Sequence, residues 1–141
     1  MRRFRMIAKA EWIEGIKFKV SDGRGHEIIS DVPEKYKGTD QGSTGLEMMI
    51  MGLASCLSAV FVIIANNSGI QYSQLLVEIE TEKPKGEKTI TSTKAKINVK
   101  SDAPKEKLER ILKKVMNSCP VGLIFEKAGI NIETELIVEG L

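Results

Sequence analysis

Histidine is all but missing from this sequence, which holds one, His26, and only two cysteines, Cys56 and Cys119, in 141 residues. Two thiols far apart in the chain and a single imidazole offer no metal-ligand spacing, so neither a metal nor any other cofactor is expected. Charge of one sign is missing too: 21 basic and 19 acidic residues are mixed along the chain, for a net charge of +2. The longest basic cluster is the Arg2-Arg3-Phe4-Arg5 start. A surface that tracks a nucleic-acid backbone needs a clearer basic excess, so nucleic-acid binding is disfavoured. There is no phosphate-binding loop and no nucleophile elbow; Gly23-Arg24-Gly25 reads as a hairpin turn.

What is present is apolar material, 42% of the chain, enough for one domain over residues 1–141 with a real core. Its longest apolar run, Met48 to Ala65, approaches the length of a membrane span. Ser55, Cys56 and Ser58 dilute the run, and basic and aromatic anchors do not flank it, so a buried central helix is expected rather than a membrane partner. No signal peptide is read, because the basic start is followed by a short segment that contains Lys9 and Glu11. The expected location is the cytoplasm, a reducing compartment in which two cysteines are free or catalytic more often than a permanent staple.

The first third reads as strands over Phe4–Ile13, Ile16–Ser21 and His26–Asp31, with Ile16, Phe18 and Val20 alternating with lysines. A polar loop then leads to Ser43 and Thr44, either of which suits the cap of the apolar helix, and that helix ends near Asn66–Gly69. Two long alternating segments, Ser73–Lys83 and Thr89–Lys100, predict a hairpin with one wet face. Asp102 is placed to cap an amphipathic helix through Met116, whose stripe is Leu108, Ile111, Leu112 and Val115. A short helix over Pro120–Ala128 with Gly129 as its stop, and a strand over Ile130–Glu139, close the chain. The plan is α+β with a largely antiparallel sheet. A helix apolar on every side needs cover on every side, which an intertwined homodimer would supply.

The chemistry centres on the two thiols, which suit a cycle in which one sulfur attacks a peroxide and the other captures the sulfenic acid as a disulfide. Pro120 fits the first helical position, making Cys119 the N-cap, where unpaired N–H groups favour a thiolate; the other reading is a small packing residue. Cys56, amid leucine and alanine, reads either as core or as a nucleophile activated from elsewhere. Glu47 is the nearest acid, yet roughly 13 Å of helix and half a turn of phase separate it from Cys56. It reads as catalytic if a kink at Gly52 or a dimer contact brings it close, and otherwise as a first-turn acid on the helix dipole. Arg24, Lys35 and Lys37 are candidates for a cation that orients the peroxide, or are solvated surface charges. Met49 and Leu53, with Met48, Met51 and Phe61, are either the wall of an apolar pocket or plain core. His26 reads as a strand residue.

The segment Gly45-Leu46-Glu47-Met48-Met49-Ile50-Met51-Gly52-Leu53-Ala54-Ser55-Cys56, the later Cys119-Pro120-Val121 after an amphipathic helix, and the order of elements together resemble the OsmC/Ohr superfamily, that of osmotically inducible protein C and organic hydroperoxide resistance proteins. The resemblance covers nearly the whole chain. It implies an OsmC-like α+β fold in an intertwined homodimer with active sites at the subunit interface. It implies thiol-dependent reduction of organic hydroperoxides in oxidative stress defence, with regeneration by a dithiol such as a lipoylated protein. Cys56 falls on the peroxidatic cysteine and Cys119 on the resolving one. Leu46 stands where the best-characterised members have glutamate, and Glu14 and Tyr36 lie near where the two branches keep an activating arginine, so the chain resembles a divergent member. A different class of function, a non-catalytic binding protein for an apolar or thiol-bearing ligand at the interface, fits those departures.

Overall fold

A computed structural model describes residues 3–141. In chain order it contains β1 (Lys9–Glu14), β2 (Lys17–Ser21), β3 (Glu27–Ser30), α1 (Gly45–Asn67), β4 (Gln74–Glu82), β5 (Ser92–Lys100), α2 (Lys105–Ser118), α3 (Pro120–Lys127) and β6 (Ile132–Glu139). The chain divides into two compact units, the first ending at Met49 and the second running Ile50–Leu141, so that α1 begins in one and continues in the other.

The first unit is an antiparallel meander in the order β1-β2-β3. Its first strand starts at Lys9, whose partner is Ser21, rather than at Phe4 as the sequence suggested. Phe4 and Met6 lie beyond the end of β2 and stay 94% and 83% exposed, because a strand needs a neighbour to satisfy its backbone. Trp12 Nε1 donates to the Gly15 carbonyl at 2.9 Å and closes the β1–β2 turn.

The segment after β3 has no long regular element, and one carboxylate organises it. Asp31, 1% exposed, accepts from the Val32 N–H at 2.7 Å, the Thr39 hydroxyl at 2.5 Å and the Gln41 N–H at 3.1 Å. The loop folds so closely on itself that a Cβ on Gly38 would lie 1.9 Å from the Val32 carbonyl oxygen, so only glycine fits there. Led by the Thr39 hydroxyl and opposed in part by burial, these donors hold the Asp31 carboxyl at about 2, below the ordinary 3.8.

In the second unit β5 is the middle strand, antiparallel to β4 and parallel to β6. The sheets are thus largely antiparallel, as the α+β pattern predicts, with β6 the exception. A parallel neighbour requires a crossover, and α2 with α3 forms it. Thr93, Ala95, Ile97 and Val99 alternate along β5 and are all buried. On the other face Glu78 pairs across from Lys96 and Glu80 from Lys94, and Lys94 Nζ reaches Glu135 at 3.1 Å. The core joins the inner β5 face to the α2 stripe Leu108, Ile111, Leu112 and Val115, to Phe125, and to the α1 stripe Leu53, Leu57, Phe61 and Ala65.

One further expectation changes. Asp102 does not cap α2: Pro104 takes that position, and Asp102 Oδ1 accepts from the Leu141 N–H at 3.0 Å. Proline has no N–H to satisfy and a backbone angle suited to the helix start, so the helix begins after it. Within one chain α1 is buried along a single stripe at every fourth residue, and Met49, Met51 and Ile63 are 41%, 53% and 57% exposed. By length and composition alone α1 also meets the requirement for a membrane span. Gly129, with φ of 78°, ends α3 as the sequence predicts.

Phe61, 1% exposed, is among the largest buried side chains. Phe61→Ala is expected to lower the unfolding free energy by about 3–5 kcal/mol in urea denaturation, as cavities left by phenylalanine do. The Asp31 cage gives a pH signature. With its folded value depressed to about 2, its contribution is complete above the ordinary 3.8 and is lost as the pH falls through about 2. The acid limb of a stability-against-pH curve should flatten in that window for Asp31→Asn.

Candidate active site

The site begins with the way Cys119 is held. Its N–H donates to the Val115 carbonyl at 2.9 Å, which makes it the C-cap of α2. Its carbonyl accepts from the Leu123 N–H at 2.9 Å, and its sulfur accepts from the Gly122 N–H at 3.4 Å, which makes it the N-cap of α3 with Pro120 at the first helical position. One residue therefore ends one helix and starts the next. The N-cap assignment matches the sequence reading, and the sulfur takes the place of the side-chain oxygen that usually fills it.

Cys56 comes from the middle of α1. It follows Leu53 by three residues and precedes Leu57 by one, so it lies at the edge of the buried stripe. It is partly exposed, whereas Cys119 has no exposed surface. Both are free thiols, and Cys119 Sγ lies 2.9 Å from Cys56 Sγ as the donor of a hydrogen bond.

Burial has the largest influence on the Cys119 proton, followed by the Cys56 sulfur; both push its pKa up, against a smaller downward pull from the Gly122 and Val121 N–H groups. The balance lies at about 11. The sequence reading expected the helix start to favour a thiolate here. The cap is present, but withdrawal from water outweighs it, and Cys119 holds its proton at neutral pH.

Among the sequence-predicted candidates, the structure brings Cys56 and Cys119 together. Glu47 forms a capping box with Thr44: the Glu47 N–H donates to Thr44 Oγ1 at 3.2 Å, and Glu47 Oε1 accepts from the Thr44 hydroxyl at 2.9 Å and its N–H at 3.4 Å. Arg24 sits in the β2–β3 turn with Nη2 3.4 Å from Asp22 Oδ2, and its backbone N–H donates to Asp22 Oδ1 at 2.7 Å. That N–H, the His26 side chain and the His26 N–H hold Asp22 at about 2. Lys35 Nζ lies 5.0 Å from the centre of the Tyr36 ring, and Lys37 follows a short 3-10 turn, Glu34–Tyr36, with φ of 68°. These residues, with the exposed Met49, belong to the first unit. Leu53 is fully buried in the second. Among the described residues no group of three or more His, Cys, Asp or Glu side chains could hold a metal ion.

Sequence reasoning missed the Gly122 N–H, although the spacing contained it: with Cys119 as N-cap and Pro120 as the first helical residue, Gly122 is the third, where a cap finds its donor. It also missed Asp31. The available signal was an aspartate opening a polar, glycine-bearing loop, a setting in which the side chain bonds to nearby backbone N–H groups.

The model of a family described as OsmC-like protein matches residues 38–135. No curated protein matches this sequence. Solved structures share the fold at low identity. An OsmC like protein from Mycoplasma pneumoniae is 15% identical, with a TM-score of 0.87 over 98% of this chain and 99% of that one. An organic hydroperoxide resistance protein OsmC from Legionella pneumophila is 17% identical, with a TM-score of 0.71 over 99% of each chain. A putative organic hydroperoxide resistance protein from Vibrio cholerae, with captopril bound in one of its active sites, is 17% identical, with a TM-score of 0.70 over 100% of this chain and 95% of that one.

The raised Cys119 value has a consequence for stability. A thiol ordinarily titrating at 9.0 and held at about 11 in the folded chain favours folding fully below 9.0, and that contribution is lost as the pH rises through about 11. Denaturation midpoints measured across this window should fall with pH more steeply in the native sequence than in Cys119→Ala.

Proposed function

Because the chain belongs to the OsmC-like protein family, we propose that it is a thiol-dependent peroxidase that reduces organic hydroperoxides in oxidative stress defence. The observation that carries this reading is the 2.9 Å approach of two free thiols, one partly exposed and one buried. Cys56, the accessible sulfur, attacks the distal peroxide oxygen as a thiolate. The O–O bond breaks, the distal oxygen goes to sulfur with its hydrogen so that Cys56 becomes a sulfenic acid, and the alkoxide takes up the proton that the Cys56 thiol gave up and leaves as the alcohol. Cys119 then attacks the Cys56 sulfur, the S–O bond breaks and water leaves, giving a Cys56–Cys119 disulfide. The sulfurs need to close from 2.9 Å to about 2.05 Å, which asks for little more than side-chain adjustment. A dithiol, such as a lipoylated protein, returns both thiols to the reduced state.

This reading makes the protein a cytoplasmic homodimer. The flank of α1 that carries Met51 and Ile63, each more than half exposed, is the surface a second copy would cover. The peroxide-orienting cation is assigned to the set Arg24, Lys35 and Lys37. Glu47 acts catalytically only if its carboxylate leaves the capping box.

The test is intact mass after one equivalent of cumene hydroperoxide. The native sequence is expected to lose two hydrogens, and Cys119→Ser to gain one oxygen that a sulfenic-acid probe traps. Cys56→Ser should do neither and should lose turnover on the order of 10³-fold or more, as removal of a covalent nucleophile does. Unchanged masses in all three would sink the peroxidase reading and leave a binding role.

A further inference from the structure

The two sulfurs of the pair differ in what an incoming molecule can reach. Cys119 has no exposed surface, and both its backbone groups are committed to helix ends. A pocket of about 390 Å³ is lined by Met116 and Asn117 of α2, Gly122 and Glu126 of α3, and Ile130. That pocket borders Gly122 but is not lined by Cys119. Cys56 is partly exposed.

We propose that an external thiol reduces the Cys56–Cys119 disulfide by attacking Cys56, so that the reductant is carried on Cys56 and Cys119 is always the sulfur expelled. This deepens the two-thiol reading of the preceding subsection and rests on it for its physiological setting. The thiolate of the reductant bonds to Cys56 Sγ, the S–S bond breaks, and its electron pair goes to Cys119 Sγ, which takes up the proton the attacking thiol lost. In the second step the other thiol of a dithiol attacks the reductant's own sulfur, and Cys56 leaves as the thiolate. Cys56 then takes up the proton that this second thiol lost, so two electrons and two protons have passed to the chain, and the reductant departs as a disulfide.

Access and leaving-group quality pull in opposite directions here. The lower-pKa thiol leaves faster, and burial raises Cys119. On that ground alone attack at Cys119, with Cys56 leaving, would be preferred. A sulfur without exposed surface admits no in-line approach, however, so access decides. The Gly122 N–H, which faces Cys119 Sγ at 3.4 Å, offsets part of the cost by receiving the departing charge. The same closeness lets Cys119 return: at 2.9 Å it competes with any monothiol for the mixed disulfide.

The experiment makes the disulfide with diamide, so that it does not depend on peroxide turnover. Oxidised protein receives a short pulse of excess glutathione, is quenched in acid, alkylated and mapped by peptide mass. Glutathione is expected on Cys56, with Cys119 alkylated, in at least about tenfold excess over the reverse pattern. In parallel, reduced Cys119→Ser is expected to react with an aromatic disulfide reagent at least about tenfold faster than reduced Cys56→Ser. Glutathione on Cys119, an even split, equal rates in the two variants, or no disulfide formed by diamide would each overturn the proposal. The expected adduct together with no mass change under hydroperoxide would leave the regiochemistry standing and remove the peroxidase reading alone.

Discussion

The candidate site depends on one constraint, the double anchoring of Cys119. Its N–H closes the last turn of α2, and its carbonyl and sulfur open α3. A residue fixed by two helices has little freedom to choose where its side chain points, and the sulfur is left facing Cys56 on α1. The order of costs is clear: the ordering entropy of this sulfur is met by backbone hydrogen bonds that the helices would make in any case. Proximity of the thiols is therefore a by-product of secondary structure rather than of a dedicated loop.

Electrostatics at the same residue show how two familiar effects are ranked. A helix N-terminus favours a negative sulfur, and a dry interior disfavours it. Here the interior wins, because the cap offers few donors, with Gly122 at 3.4 Å, while burial removes the whole sulfur from water. The outcome separates the pair chemically: a protonated donor inside and an accepting sulfur near the surface. Asp31 shows the reverse ranking. It too is buried, but it collects a hydroxyl and several N–H groups, and these overcome desolvation.

Much of this was legible in the sequence because the signals were local. Alternation gave β5, the spaced apolar residues gave the α2 stripe, and the Cys-Pro pair gave the cap of α3. Thr44, one of two residues considered for the start of α1, is the one whose side chain bonds there. What stayed hidden depends on distant parts of the chain. Nothing near Asp102 announces that Leu141 will meet it, and nothing within β6 says that its neighbour runs parallel. The 2.9 Å between the sulfurs joins α1 to the α2–α3 corner, and no spacing rule reaches that far. The burial of Asp31 is of the same kind, since its partners lie up to Gln41.

The parallel pairing of β6 with β5 reaches further than topology. A hairpin can be trimmed to a few residues without changing the sheet, but a parallel neighbour requires a return path along the sheet's length. Cys119 stands at the bend of that path, between the helix that goes out and the helix that comes back. Insertions and deletions that the exposed β4–β5 connection could absorb would, at this bend, shift the sulfur and the last strand together. The thiol thus sits on a span whose length the architecture itself polices, so its position is inherited with the fold.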